Sequence, residues 1–198
     1  DFFQRTSFAS KTSSGYCLDR WYAGLGGTVT VTQETAGVPV GSKYCLRVTY
    51  NAASSFSNLF QPFESGIAQT LAGQTVTVSA KVRANSAWAT TASQILFLQV
   101  DKNSTADTNT GGTWTNISNT FVAGTSIATG TTASSWTTLS NTFTIPNDGT
   151  AAGLRVHFAE NVAGGSGAYY EVAQVQLEVG PTVTPFSRAG GTLQGEIA

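Results

Sequence analysis

An all-β sandwich is the fold class the sequence predicts, and three observations carry that prediction. The stretch Gln74–Arg83 alternates without error, Val76, Val78, Ala80 and Val82 against Thr75, Thr77, Ser79, Lys81 and Arg83, which is the period of a strand with one buried and one wet face. Short segments of the same kind recur along the chain between Gly, Pro, Asn and Asp turn signals. No strand–helix–strand rhythm interrupts them, so a sheet packed on a sheet is the expected way to bury their apolar faces.

Taken in order, Thr28–Gln33 places Val29 and Val31 inward. Lys43–Tyr50 sets Tyr44, Leu46, Val48 and Tyr50 against Lys43, Cys45, Arg47 and Thr49. Ser57–Phe63 is a strand that ends at Pro62. Glu64–Ala72 is a short helix with Ile67 and Leu71 on its buried side and Gly73 as its stop. Gln94–Val100 is a nearly continuous apolar run, which predicts a central strand covered on both faces. Asp101–Asn119 is polar and reads as a surface excursion, and Phe121–Thr129 as an edge strand. Trp136–Pro146 and Gly153–Phe158 follow, separated by the Asn147-Asp148-Gly149 turn. The closing strand lies within Ala168–Phe186. Ala173, Val175, Leu177 and Val179 are predicted inward, with Gln174, Gln176 and Glu178 outward, and Gly180-Pro181 ends it.

Composition excludes several function classes. Charged residues make up 11% of the chain, far below the roughly 25% of ordinary soluble domains. The net charge is -1 and no Lys/Arg run exists, so the basic footprint that nucleic acid requires is missing. No apolar run approaches the roughly 20 residues of a membrane-spanning helix. Cys17 and Cys45 lack metal or redox spacing and are expected as reduced thiols. The chain opens DFFQRTSF and contains no Met, which predicts a piece of a longer protein without a leader of its own.

A set of short motifs then stands in a recognisable order: DFFQR at the start, DRW at Asp19–Trp21, GSKYCLRV, LAGQTVTVSAKVRA, WTTLSNTFTIP, VQLEVG and TPFSR. Together they resemble the jelly-roll, carbohydrate-binding-module-like domains of bacteriophage tail fibres and related virion proteins. The resemblance covers Asp1 to Arg188. It implies a jelly-roll β-sandwich over 1–183, with 184–198 as a tail or linker similar to a joint in phage fibres. It further implies a virion-surface location after assembly in the host cytoplasm. Host cell-surface glycan and other virion proteins are the implied partners, and homotrimer the implied assembly. Many jelly rolls of this kind carry a structural calcium held partly by an Asp of the closing strand. Only Glu171 stands at that place here, so no cofactor is expected.

Catalytic motifs are absent from the sequence. His157 alternates with Val156 and Phe158 and is expected, with Arg155, on a solvated polar face. Glycoside hydrolysis needs two carboxyl groups, and the eleven present are scattered singly, Glu160, Glu171 and Glu178 being the nearest to a set. Asp101, Asn103 and Asp107 supply oxygen ligands without the spacing of a calcium loop. Sugar binding has the stronger case, because aromatic faces stack on sugar CH groups while amides read the hydroxyls. The candidates are Trp88 and Trp114, which fall in polar loops, and Tyr170, Gln174 and Gln176, which share one parity on the closing strand. A subunit interface is the competing use of the same residues. Trp21 is expected as a core anchor.

Overall fold

The computed structural model describes residues 12–18, 20–52, 56–108, 111–161 and 164–187. The DFFQR motif, Asp19 and the segment 188–198 lie outside the described residues. Two antiparallel sheets face one another. The first contains β1 (Gly15–Leu18), β2 (Trp21–Gly26), β5 (Phe56–Phe63), β7 (Ile95–Asn103), β8 (Thr115–Ala123) and β10 (Gly153–Glu160), in the order β1-β2-β5-β10-β7-β8. The second contains β3 (Val29–Glu34), β4 (Cys45–Tyr50), β6 (Thr75–Ala84), β9 (Thr137–Thr144) and β11 (Tyr169–Val179), in the order β3-β4-β11-β6-β9. The last eight strands of the chain divide as β4-β11-β6-β9 and β5-β10-β7-β8. That is the two-Greek-key interleaving of a jelly roll, so the predicted fold class is borne out.

Between the sheets, Val29, Val31, Leu46, Val48, Tyr50, Val78, Ala80, Val82 and Val172 from one side meet Trp21, Leu59, Leu96, Leu98, Val100, Val156 and Phe158 from the other. Trp21 is the core anchor expected of it, its ring 6.0 Å from that of Phe158. A satellite cluster, Ala68, Val76, Ile145, Ala151 and Leu154, seats the helix α1 (Ser65–Leu71) at one end. Its buried residue is Ala68, with Leu71 packed beside it, whereas Ile67 is exposed. The predicted Ile67–Leu71 stripe is therefore rotated by one position. Gly73 ends the helix at φ +77, as a C-terminal glycine does.

Several strand expectations need correction. β8 begins at Thr115, inside the stretch read as a surface excursion, and ends at Ala123 rather than running to Thr129. β7 is covered on one side only: Leu96, Leu98 and Val100 face the core, while Phe97, Gln99 and Asp101 belong to the outer face. In β11 the pairing with β6 slips between Ala173 and Gln176, and Gln174 sits at φ +51. This bulge inserts one residue and reverses which parity faces the core. Tyr170 and Val172 point inward before it, Val175 and Leu177 after it.

The outer face of the five-stranded sheet is clamped by ion pairs. Glu171, fully buried, accepts from Arg83 and from Arg47, the latter at 2.7 Å. Arg83 also donates to the carbonyls of Ala36, Gly37 and Thr132 and stacks under Trp136. Two loops are thereby tied to the sheet. Gly37, at φ +60, is required there, because a Cβ would fall 1.8 Å from the Thr131 carbonyl oxygen. Thr184–Ser187, assigned by the sequence to a tail, hydrogen-bonds to Gln176 and Glu178 of β11.

Candidate functional site

The register of the six-stranded sheet lines up one outward-facing residue from every strand. Tyr16 pairs with Tyr22, Tyr22 with Phe60, Phe60 with His157, His157 with Gln99, and Gln99 with Asn119. One row therefore runs from three aromatic rings through an imidazole to two amides. A parallel row reads Gly24, Asn58, Ala159, Phe97 and Phe121, and a third Pro62, Arg155, Asp101 and Asn116. Alternation of side chains along each strand puts all of these on the face turned away from the core.

The rings of this face pack on each other; Phe60 is buried beneath its neighbours at 7% exposure, while rings around it stay open to solvent. Tyr22 stacks on Phe60 at 5.0 Å, Tyr16 meets Tyr22 edge-on at 5.4 Å, and Phe97 and Phe121 lie 6.0 Å apart. Tyr16, Phe56 and Phe121 are 49, 55 and 57% exposed. Phe56 lies flat over Gly26, where a Cβ would fall 1.9 Å from the ring, so the glycine is what lets it settle there.

Polar groups beneath the rings are mutually fixed. Asp101 Oδ2 accepts from Arg155 Nε at 2.8 Å and lies 3.1 Å from His157 Nδ1, while Asn116 Nδ2 donates to Oδ1. His157 Nε2 stands 2.9 Å from Asn58 Oδ1. Burial by itself raises the Asp101 carboxyl, but the hydrogen bonds and charges of His157 and Arg155 outweigh it and hold it below the ordinary carboxylate range. The guanidinium of Arg155 sits between two rings, 4.7 Å from Phe60 and 4.5 Å from Trp114. His157 is on the outer face as expected, but it is held in a hydrogen-bonded chain and is not a solvated side chain.

The five candidates from the sequence do not form one site. Trp114 stands beside the aromatic face, with its Nε1 donating to the Gly111 carbonyl. Trp88 is not a loop-exposed ring: it is fully buried, edge-on to Tyr170 at 6.1 Å. The reason is local, since Asn85 caps its turn by accepting from the Trp88 N–H and folds the ring back under the sheets. Tyr170 is likewise fully buried, its hydroxyl 2.8 Å from Ser57 Oγ, because the bulge gives it the inward parity. Gln174 and Gln176 lie on the outer face of the other sheet, bonded to the Val40 carbonyl and to Thr184. Two fully buried rings offer no surface to a ligand.

The three carboxylates that the sequence brought nearest to a set do not come together. Glu160 lies at the end of β10 bonded to Ser57, and Glu171, on the other sheet, is bound by two arginines of its own sheet. Glu178 is seven residues from Glu171 along β11, about 20 Å at the rise of a strand and well beyond the roughly 5–10 Å that glycoside hydrolysis uses. The oxygen ligands read in 101–107 diverge: Asp101 faces the aromatic sheet, Asn103 caps Thr105, and Asp107 accepts from the Ser65 N–H. No group of three metal-binding side chains occurs among the described residues.

Tyr16, Tyr22, Phe56, Phe60, Phe97 and Phe121 were not singled out by the sequence. The available signal was the alternation Phe97-Gln99-Asp101 against Leu96-Leu98-Val100, which the apolar look of QILFLQV conceals.

By sequence, no protein family model and no curated protein matches the chain. Solved structures do resemble it in fold. The family 22 carbohydrate-binding module at the C-terminus of Clostridium thermocellum Xyn10B superposes with a TM-score of 0.51 at 17% identity, over 84% of this chain and 90% of that one. A family 61 module, TmCBM61, solved in complex with β-1,4-galactotriose, gives 0.51 at 13% identity over 82% and 90%. The enzymatically active domain of tailspike protein 4 from bacteriophage CBA120 gives 0.52 at 11% identity. There the match covers 81% of this chain but only 19% of the tailspike chain. These likenesses are of fold alone, a two-sheet β-sandwich shared with those modules.

Proposed function

We propose that this chain is a non-catalytic glycan-binding domain displayed on a bacteriophage virion, and that it holds its ligand on the outer face of the six-stranded sheet. The observation that carries the reading is the unbroken row Tyr16-Tyr22-Phe60-His157-Gln99-Asn119. The Tyr16 and Tyr22 rings at one end, backed by the buried Phe60, offer faces for sugar CH groups, and amides at the other end offer donors and acceptors for hydroxyls, the mixture a glycan site needs. The fold likeness to modules solved with or for carbohydrate ligands supports the glycan, and the tailspike likeness supports the virion. A host cell-surface polysaccharide is the ligand this reading calls for.

A glycan array and affinity electrophoresis with host polysaccharides test it, run with Tyr16→Ala and Phe121→Ala beside the parent. Both rings are exposed, so the variants keep the fold. Each is expected to weaken binding by about 2- to 10-fold, the worth of one ring contact. Binding unchanged in both variants, or no binding to any host polysaccharide, overturns the reading.

The same exposed rings favour one alternative, a contact between copies in a homotrimeric fibre, in which the domain is a structural or decorating element. Light scattering separates the two. A trimer that dissociates on Phe121→Asp assigns the face to assembly.

A further inference from the structure

On the opposite side of the sandwich, the outer face of the five-stranded sheet carries a half-open groove of about 530 Å³, inside the roughly 300–1,000 Å³ of small-molecule sites. We propose that this groove is a second, independent binding site, and that it takes a single carboxylate-bearing sugar ring of the uronic acid type.

Three features of the groove point to that ligand. Its floor is polar: Ser79 and Lys81 of β6, Thr138 of β9 and Gln174 at the β11 bulge. Lys81 Nζ donates to Thr138 Oγ1 at 2.5 Å, and no carboxylate forms an ion pair with it among the described residues. The other cations near this face are spent, Arg47 and Arg83 both being bound to Glu171. A ligand carboxylate is therefore the group that Lys81 lacks. A lone ammonium acts as a point charge that one ligand carboxylate neutralises, without the fork that bidentate recognition uses.

The second feature is the wall. Val183, Pro185 and Phe186 stand on one side and Val40, 87% exposed, on the other. They give apolar surface for the CH groups of a sugar ring. The wall is held in place, because Thr184 N donates to Glu178 Oε1 at 3.0 Å, Thr184 Oγ1 to Oε2 at 2.7 Å, and Ser187 N to Gln176 Oε1 at 3.1 Å. Preformed walls lower the ordering cost of binding.

Third, Gln174 is held at φ +51, a region that residues with side chains rarely enter. Its Nε2 donates to the Val40 carbonyl at 2.8 Å, which fixes the amide across the groove and leaves Oε1 to accept from a sugar hydroxyl. Strained positions kept in a fold concentrate at ligand clamps.

The test is an amide-resolved NMR titration of the full chain with sodium glucuronate, run beside glucose and sodium acetate. Shifts at Lys81, Gln174 and Phe186 that saturate at about millimolar concentration are expected with glucuronate, smaller with glucose or acetate, and reduced by added salt. Lys81→Met should weaken glucuronate binding by about tenfold or more. Phe186→Ala, at the rim, should weaken it without disturbing the fold, whereas Phe121→Ala on the other face should leave it unchanged. No shifts up to about 50 mM glucuronate overturn the site. Equal response to acetate overturns the sugar, and equal response to glucose overturns the charge. A concentration-dependent dimer broken by Val183→Asp would assign the groove to a second copy and overturn the proposal as well. Because the Phe121 variant reads only the aromatic face, failure of either site is distinguishable from failure of the other.

Discussion

Arg155 donates its Nε to Asp101 Oδ2 at 2.8 Å from a position between the rings of Phe60 and Trp114. One ion pair thus couples the third strand row to the aromatic end of the first. Asp101→Asn removes the charge that Arg155 answers and leaves the guanidinium partly buried. The expected cost is about 2 kcal/mol, below the roughly 3–5 of a fully buried pair because Arg155 keeps some solvent. Urea unfolding of the two proteins at neutral pH measures it.

That cost should depend on pH with a defined sign. The folded Asp101 carboxyl titrates below its unfolded value, so the native state binds fewer protons there. Its contribution is complete above the unfolded carboxyl pKa, near 4, and is lost as pH falls through the lower folded value. The stability gap between the parent and Asp101→Asn is therefore expected to shrink under acid conditions. A gap that stays constant down to about pH 2 contradicts the ion pair.

Glu160 titrates in the opposite sense. Burial raises its carboxyl from 4.5 to about 6, against the hydrogen bonds from Ser57 and Tyr50. The native state then binds more protons than the unfolded one between those values. This contribution is complete below 4.5, is lost as pH rises through about 6, and changes no further above it. The amplitude is at most about 2 kcal/mol. Glu160→Gln should flatten the parent's fall in stability across that window and leave the acid limb governed by Asp101. Thermal unfolding at half-unit pH steps reads both limbs in one series.

Trp88 is expected to matter for stability and not for ligand. Its ring is fully buried against Tyr170, and its Nε1 has no hydrogen-bond partner among the described residues. Trp88→Ala opens a large cavity and should cost about 3–5 kcal/mol, or roughly 10 °C in melting temperature for a domain of this size. Trp88→Phe keeps much of the volume and removes the orphaned donor, so it should cost clearly less. Glycan binding per folded molecule should be the same in Trp88→Phe as in the parent, which affinity electrophoresis below the melting temperature checks.

Tyr170 and Gln174 show where the sequence is legible and where it stops being so. β6 reads correctly residue by residue because nothing breaks its alternation, and the pairing order that makes a jelly roll follows from the complete set of strands. In β11 the same alternation is interrupted by a bulge that carries no glycine to announce it, since Gln174 itself takes the left-handed conformation. Every parity before the slip is therefore inverted, and Tyr170 goes to the core. β1 and β2 are short and rich in glycine, so Tyr16 and Tyr22 give no strand signal, and two of the row's three rings are hidden with them. Trp88 is concealed differently: its neighbours are polar, but the Asn85 cap returns it inward. Only Trp114 is both legible and placed at the face that carries the functional reading.

The two cysteines give the last prediction. Cys17 faces the core from β1, whereas Cys45 lies on the outward parity of β4, beside Glu171 and Arg47. Packed sheets stand about 10 Å apart, and a disulfide needs Cα atoms within about 7 Å. The geometry therefore forbids a bridge between them in the native fold, where both are thiols. Burial, reinforced by the Glu171 carboxylate, pushes the Cys45 thiol up to about 12, so almost none of it is thiolate at neutral pH, and thiolate is the reactive form. Iodoacetamide without reductant is expected to leave the native Cys45 unmodified over hours and to label both cysteines after unfolding in urea. Intact mass reads the result as two added groups. A denatured chain that refuses both labels would reveal a bridge and require β1 and β4 to be arranged differently from the sheets described above.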